Sequence, residues 1–391
     1  MKQLIVLLAL GATALGATEF EITAGGPGND RGVFVRETAD GGFIAVGSTA
    51  GDGDDAYLVR TDATGTILWT ASLGGPGTDW GWSVQETEAG YVVAGSTTSF
   101  GAGGFDCYVV GTDRQGSELW SATAGGEGDE RCWAMAPAGD GWIVVGETAP
   151  GGNGTEDCYL AGVDSSGTVH WTASFGGDES DRCFAIARSG KGWLVAGATF
   201  SRGAGDRDFW VAGVGARGEL QWERTWGGTE SDVAHWIVPT RDGNFLVTGY
   251  TTSLATRGDD PYLVKLSPGG EEIWARVLPF ESVAHTIAGV ERGNGGFCLA
   301  GFTATATTRA ALVIGTDAAG GDLRTRRIRE TVGESFGYSV QPTVDGGCVM
   351  TGHTTEGSQG GRDLLLVRID AAALTAGEPN GGEQAVPLPP P

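Results

Sequence analysis

The chain has 391 residues, 70 of them glycine, and 49 acidic residues against 25 basic ones leave a formal charge of −24. Nucleic acid and anionic membrane surfaces both demand a basic footprint, so those two partner classes are excluded. The length suffices for a large core in one all-β domain.

Residues 1–16 have the layout of a secretory signal: Lys2, an apolar run over 4–10, then small residues around Ala14-Leu15-Gly16. The run is too short to span a bilayer, so a secreted or periplasmic protein without membrane insertion is expected. From there a pattern recurs seven times. One short apolar run per unit ends in a glycine, at Gly47, Gly95, Gly146, Gly197, Gly249, Gly301 and Gly352, with intervals of 48, 51, 51, 52, 52 and 51.

The second unit shows the anatomy. Trp82-Ser83-Val84-Gln85-Glu86 reads as a strand, and Tyr91-Val92-Val93-Ala94 as a second. A glycine-rich loop leads to Asp106-Cys107-Tyr108-Val109-Val110, and a turn at Asp113-Arg114-Gln115-Gly116 leads to Leu119-Trp120-Ser121-Ala122-Thr123. Runs of about five residues rich in Val, Tyr, Trp and Thr between Gly/Asp turns are strands, and no helical period interrupts them. A unit of about fifty residues made only of short strands is a blade, because one small sheet cannot bury both faces alone. The expected fold is all-β: a seven-bladed β-propeller of four-stranded blades over residues 17–373.

The seventh unit lacks a fourth strand. Phe20-Glu21-Ile22-Thr23-Ala24-Gly25-Gly26 aligns with Trp69-Thr70-Ala71-Ser72-Leu73-Gly74-Gly75, so an N-terminal strand is expected to complete the last blade. Such closure removes open sheet edges. Residues 374–391, ending in Val386-Pro387-Leu388-Pro389-Pro390-Pro391, read as a disordered proline-rich tail.

Repeat positions assign most conspicuous residues to packing. Trp69, Trp120, Trp171, Trp222 and Trp274 share one position and suit the wide outer wedge between blades. Asp55, Asp106, Asp157, Asp208, Asp260 and Asp363 share another and suit loop-fixing acceptors. Cys107 and Cys158 are equivalent, as are Cys132 and Cys183, each set 51 apart. Repeat symmetry therefore predicts bridges Cys107–Cys132 and Cys158–Cys183, in keeping with an oxidising compartment. Cys298 and Cys348 are offset by one residue, which predicts opposite faces and no bond.

Of the loops GGPGND, GGPGTD and GGEGDE, the first two contain the GGxGxD string of calcium-binding β-rolls, but at a fifty-residue rather than nine-residue spacing. One copy offers too few oxygens for calcium. No cofactor is expected; the nearest candidate for calcium is Asp52-Gly53-Asp54-Asp55, expected beside Asp30. The start of each first strand carries Val33, Trp82, Trp133, Phe184, His235, His285 and Tyr338, with Trp80 and Trp236 close by. First strands line a propeller's channel, so Trp80, Trp82, Trp133, Phe184, His235, His285 and Tyr338 form the candidate ligand-binding collar. Aromatic faces flanked by Asp, Asn and Arg suit sugar rings or peptides. The competing reading packs them between blades with Val35, Val84, Met135, Ile186, Ile237, Ile287 and Val340. No GxSxG or HExxH motif is present.

The unit GGxGxD…DGG(F/Y)(I/V)xxG…D-x-Y-(L/V)-V…D-x-x-G-x-x-x-W resembles the seven-bladed β-propeller repeats of secreted bacterial and archaeal proteins, over about residues 19–371. The resemblance implies the fold and no catalytic residue. The expected function is a monomeric, non-catalytic binding scaffold for a glycan or extracellular protein segment near the channel. The alternative is an extracellular polysaccharide hydrolase or lyase using rim carboxylates with His235 and His285.

Overall fold

The computed structural model describes residues 19–51, 53–149, 155–255, 257–329, 333–376, 378–379 and 385–387. The leader at 1–16 and Asp52 lie outside the described residues.

In the first repeat Asp30–Glu37, Phe43–Ala50, Asp54–Thr61 and Ile67–Leu73 form an antiparallel sheet in that order. The second and third strands are apolar on successive positions because each of their faces meets another blade. The fourth alternates, having one side toward solvent. Its entry turn is set by Asp62, whose carboxylate accepts from the Thr64 and Thr66 amides at 2.8 and 2.9 Å. The design repeats over 79–124, 129–175, 181–226, 232–277 and 283–328, giving blades 2 to 6.

Blade 7 contains Ser335–Pro342, Cys348–Thr354 and Asp363–Ile369, and Phe20–Ala24 supplies its outer strand, in register from Phe20↔Arg368 to Ala24↔Leu364. The ring is closed by its two ends, as the alignment of 20–26 with 69–75 predicts. The described part of the C-terminal tail, expected to be disordered, differs from that expectation. Ala373–Ala376 makes a helical turn, and Leu374 is buried in the blade 6–blade 7 core. Glu378–Pro379 and Val386–Pro387 then add short outer strands to blades 6 and 5. The outer strands of those blades leave backbone groups unpaired, and an extended tail satisfies them.

Apolar clusters fill the junctions between blades. At the outer wedge the repeated tryptophan does the packing against a glycine of the next blade. A β-carbon on Gly116, Gly167, Gly218, Gly270 or Gly320 would lie 2.5–3.2 Å from the ring of Trp69, Trp120, Trp171, Trp222 or Trp274 respectively. These glycines have φ near +80° in the turn before the fourth strand, so the turn conformation and the ring contact both require the missing side chain. At the seam Phe20 takes the tryptophan's place over Gly65.

The GGxGxD loops are explained by the same junctions. The second glycine's amide donates to the carboxylate that opens the next blade: Gly26 to Asp30, Gly75 to Asp79, Gly126 to Glu130, Gly177 to Asp181 and Gly228 to Asp232, at 2.6–2.9 Å. The first glycine sits under two carboxylates. A β-carbon on Gly25 would lie 2.6 Å from oxygens of both Asp30 and Asp363. Equivalent pairs are Asp55 with Asp79, Asp106 with Glu130 and Asp157 with Asp181. Asp55 therefore belongs to the next junction rather than beside Asp30, where the sequence reading placed it. Among the described residues no cluster of three or more His, Cys, Asp or Glu is arranged to hold a metal.

Both predicted disulfides form, Cys107–Cys132 across the blade 2–blade 3 junction and Cys158–Cys183 across blade 3–blade 4. Each closes 25 residues, worth about 3 kcal/mol in the chain-entropy account. Cys298 and Cys348 are free and buried, as expected. They nevertheless share one apolar cluster, and the Cys348 thiol is pushed up chiefly by burial, with Cys298 adding to the effect. Neighbouring blades confront each other with opposite faces, so the offset that separates the two within a repeat brings them together across a junction.

Two outcomes follow from the seam and the paired carboxylates. Phe20 is 6% exposed, and Phe20→Ala should cost about 3–5 kcal/mol in urea unfolding; an unchanged midpoint would show that the seam does not hold the ring. Burial, then the facing Glu130 or Asp30, pushes Asp106 and Asp363 up to about 6 from 3.8. A carboxyl raised in the fold binds more protons there than in the unfolded chain, so its contribution falls as pH rises from 3.8 to about 6. Asp106→Asn should therefore melt ~1–3 °C above the parent at pH 8, with the gain gone by pH 4.

Candidate binding site in the central channel

The first strands of neighbouring blades run side by side around the axis. In each, one extra residue is inserted next to the residue opposite the repeat glycine. The register shifts fall at Gly32/Phe34, Gly81/Ser83, Cys132/Ala134, Cys183/Ala185, Ala234/Trp236, Thr286/Ala288 and Gly337/Ser339. The bulged residues are thus Val33, Trp82, Trp133, Phe184, His235, Ile287 and Tyr338. A β-bulge bends its strand and re-aims one side chain, and here it does so once per blade at the same depth.

Five of the seven collar residues expected from sequence sit on these bulges, and Trp80 and His285 do not. Both lie two residues before a bulge, level with Arg31, Arg131, Arg182, Val233 and Phe336. Counting back from the repeat glycine gives the same answer: the five stand 13 or 14 positions before it, Trp80 stands 15 before Gly95 and His285 stands 16 before Gly301. His235 and His285 are consequently not equivalent. The Tyr250 ring stands between them, 5.7 Å from His235 and 4.2 Å from His285 between ring centroids.

Together the two levels form an aromatic belt. Ring centroids run Trp82–Trp133 4.5 Å, Trp133–Phe184 6.3 Å and Phe184–His235 5.5 Å. Beyond Tyr250 the belt continues His285–Phe302 4.7 Å, Phe302–Phe336 4.6 Å and Phe336–Tyr338 6.1 Å. Blade 1 offers only Val33, and there the Arg31 guanidinium lies 5.5 Å from the Trp80 ring and 5.2 Å from the Trp82 ring. Tyr250, Phe302 and His353, which stacks on Phe336 at 4.8 Å, were missed by the sequence reading. Each directly follows a repeat glycine, and that position was the available signal.

The belt is half-buried, and its polar edges are unevenly satisfied. Among the described residues no acceptor reaches the buried indole Nε1 of Trp82 or Trp133. Burial, then the neighbouring His285, draws the His235 imidazole down to about 3, so it is neutral. His285 Nε2 lies 2.7 Å from Asp259, and this hydrogen bond leads the effects that hold the Asp259 carboxylate below its ordinary range.

Charged pairs ring the same mouth. Arg131 bridges Asp129 at 3.0 Å and Glu147 at 3.5 Å; Arg182 bridges Glu147 at 3.4 Å and Glu156 at 2.9 Å. Burial pushes the Glu147 carboxyl up, with the two arginines opposing it. Across the mouth Glu334 takes Arg309 at 3.0 Å and Arg362 at 3.5 Å. The upper mouth therefore presents flat apolar faces and ion pairs of both signs.

Below the belt, Phe34 of blade 1 meets Trp236 of blade 5 at 5.7 Å. These blades are not neighbours, so the contact crosses the channel and plugs it. Beneath it lies a cavity of about 440 Å³ toward the opposite mouth.

No family model matches the chain. No curated protein matches it either. Among solved structures it is similar to the WD40 domain of Pan2 from Neurospora crassa, with 11% identity and a TM-score of 0.52 over 88% of this chain and 89% of that one. Sqt1 from Chaetomium thermophilum follows, with 14% identity and a TM-score of 0.49 over 91% and 84%. The periplasmic gluconolactonase PpgL of Pseudomonas aeruginosa has 14% identity and a TM-score of 0.45 over 75% and 82%. The likeness to the Pan2 domain shows a shared propeller fold, and function does not transfer with a fold.

Proposed function

We propose that this protein is a secreted, non-catalytic binding module that takes a glycan or an extended protein segment at the upper mouth of its channel. The observation that carries the reading is the half-buried aromatic belt, with Trp82 against Trp133 at its centre. A flat ligand face stacked on such rings gains apolar burial, while its hydroxyls or amides answer the rim charges. Secretion is supported by the two disulfides and by the leader-like residues 1–16.

The alternative, a polysaccharide hydrolase or lyase, draws less support from the geometry. It needs a base poised near neutrality beside an acid. His235 is neutral between two rings, His285 is tied to Asp259, and Glu147 and Glu334 are each committed to two arginines.

The test is a glycan array and an immobilised peptide library probed with the oxidised protein, in parallel with Trp82→Ala/Trp133→Ala. A ligand should bind the parent, and the double variant should lose roughly tenfold or more in affinity while its far-ultraviolet spectrum is unchanged. Equal binding by a folded double variant would remove the belt from the site.

A further inference from the structure

The lower half of the channel is chemically unlike the rest of this protein. The walls of its 440 Å³ cavity are mostly apolar, with Phe34, Met135, Trp236 and Ile237 prominent among them. The polar groups are Arg36, Ser83, Gln85, Arg188 and Gln341, and no aspartate or glutamate lines it. That exclusion is notable in a chain with 49 acidic residues.

Of the other buried cations, Arg292 donates to the Thr316 carbonyl at 3.1 Å and two are ion-paired. Arg60 and Lys265 reach Asp40 and Asp242, each at 2.6 Å. The arginines of the cavity are not held this way among the described residues. The buried Nε of Arg36 has no acceptor, and burial draws its guanidinium down, with Glu86 pulling the other way. Arg188 lies with its guanidinium 5.4 Å from the Trp193 ring. Trp236 adds a buried Nε1 with no acceptor. A partly desolvated cation without an anion is costly, and unpartnered donors at a cavity wall mark where an acceptor belongs.

We propose that this cavity binds a small organic carboxylate with an apolar body. Arg36 forks the carboxylate, Gln85 and Gln341 supply further hydrogen bonds, and the apolar body lies between Phe34, Met135 and Trp236. The volume falls within the range of small-ligand pockets. A carboxylate fits better than a phosphate: two arginines and two amides suffice for one delocalised charge, and the apolar walls offer a second charge nothing. The site is separate from the upper mouth, because the Phe34–Trp236 contact stands between them.

The test is calorimetric titration of the full chain with 4-phenylbutyrate, 4-phenylbutanol and inorganic phosphate. The carboxylate should bind the parent at least roughly tenfold tighter than the alcohol, with phosphate silent. Arg36→Met keeps the apolar stem and should lose about the same factor with no fall in melting temperature, since the parent arginine is unpaired. Trp82→Ala/Trp133→Ala should bind the carboxylate as the parent does. No binding of 4-phenylbutyrate, equal binding of acid and alcohol, or full binding by Arg36→Met would each overturn the proposal.

Discussion

The architecture rests on filling a wedge. Flat sheets arranged around an axis touch near the centre and diverge outward, and the diverging space must be packed if the ring is to hold. Here the outer strands of blades 1 to 5 each project a tryptophan onto a glycine in the next blade's turn, a contact a single methyl group would obstruct. Phe20 repeats it at the seam, so the angle between blades is set by the same ring-on-backbone spacing around most of the circle. Inner geometry follows from outer packing: with the blade angle fixed, the first strands lie side by side and each carries its bulge at one depth.

The interblade loops solve a different problem. A sharp passage from one blade to the next exposes backbone amides at a buried place, and the opening Asp or Glu of blades 1 to 5 accepts them. That device brings the carboxylate close to the aspartate of the preceding blade's third strand, so polar satisfaction of the loop is obtained at the cost of like-charge proximity. The string that resembles a calcium motif is thus accounted for by loop geometry. In blade 6 the loop lacks the double glycine and Phe280 and Leu278 are buried instead, with the Phe280 amide still reaching Asp260 at 3.0 Å.

The periodic features were legible from sequence because a repeat position is an averaged measurement. Seven glycines fix the blade count, equivalent cysteines fix two bridges, and the alignment of Phe20 with Trp69 fixes the seam. Features that depend on relations between blades were less so. Aligning His285 with His235 ignored the varying length of blade entrances, which only the distance to Gly301 corrects. Cys298 and Cys348 meet because adjoining blades present opposite faces, a relation that no single repeat contains. Tyr250 and Phe302 enter the belt from second strands, which looked wholly like core. The cavity around Arg36 was invisible for the same reason: its walls come from six blades, each contributing a few ordinary residues.

The seam has a consequence for how the chain reaches its folded state. Phe20–Ala24 is synthesised before the other six blades, and its partners Leu364 to Arg368 after them. Those six blades can assemble as they appear, since each is built from contiguous residues, but the seventh waits until Leu364 to Arg368 have been made. Until then both ends of the arc carry unpaired strand edges. The completed ring in turn has a preferred place to open: its seventh blade is the one held by contacts of the greatest sequence separation, with a phenylalanine where other blades use tryptophan and no disulfide at either flank. The two disulfides lie on the far side, around blade 3. They keep that arc assembled while the seam breathes, so the molecule behaves as a clasped bracelet whose hinge and clasp are chemically distinct.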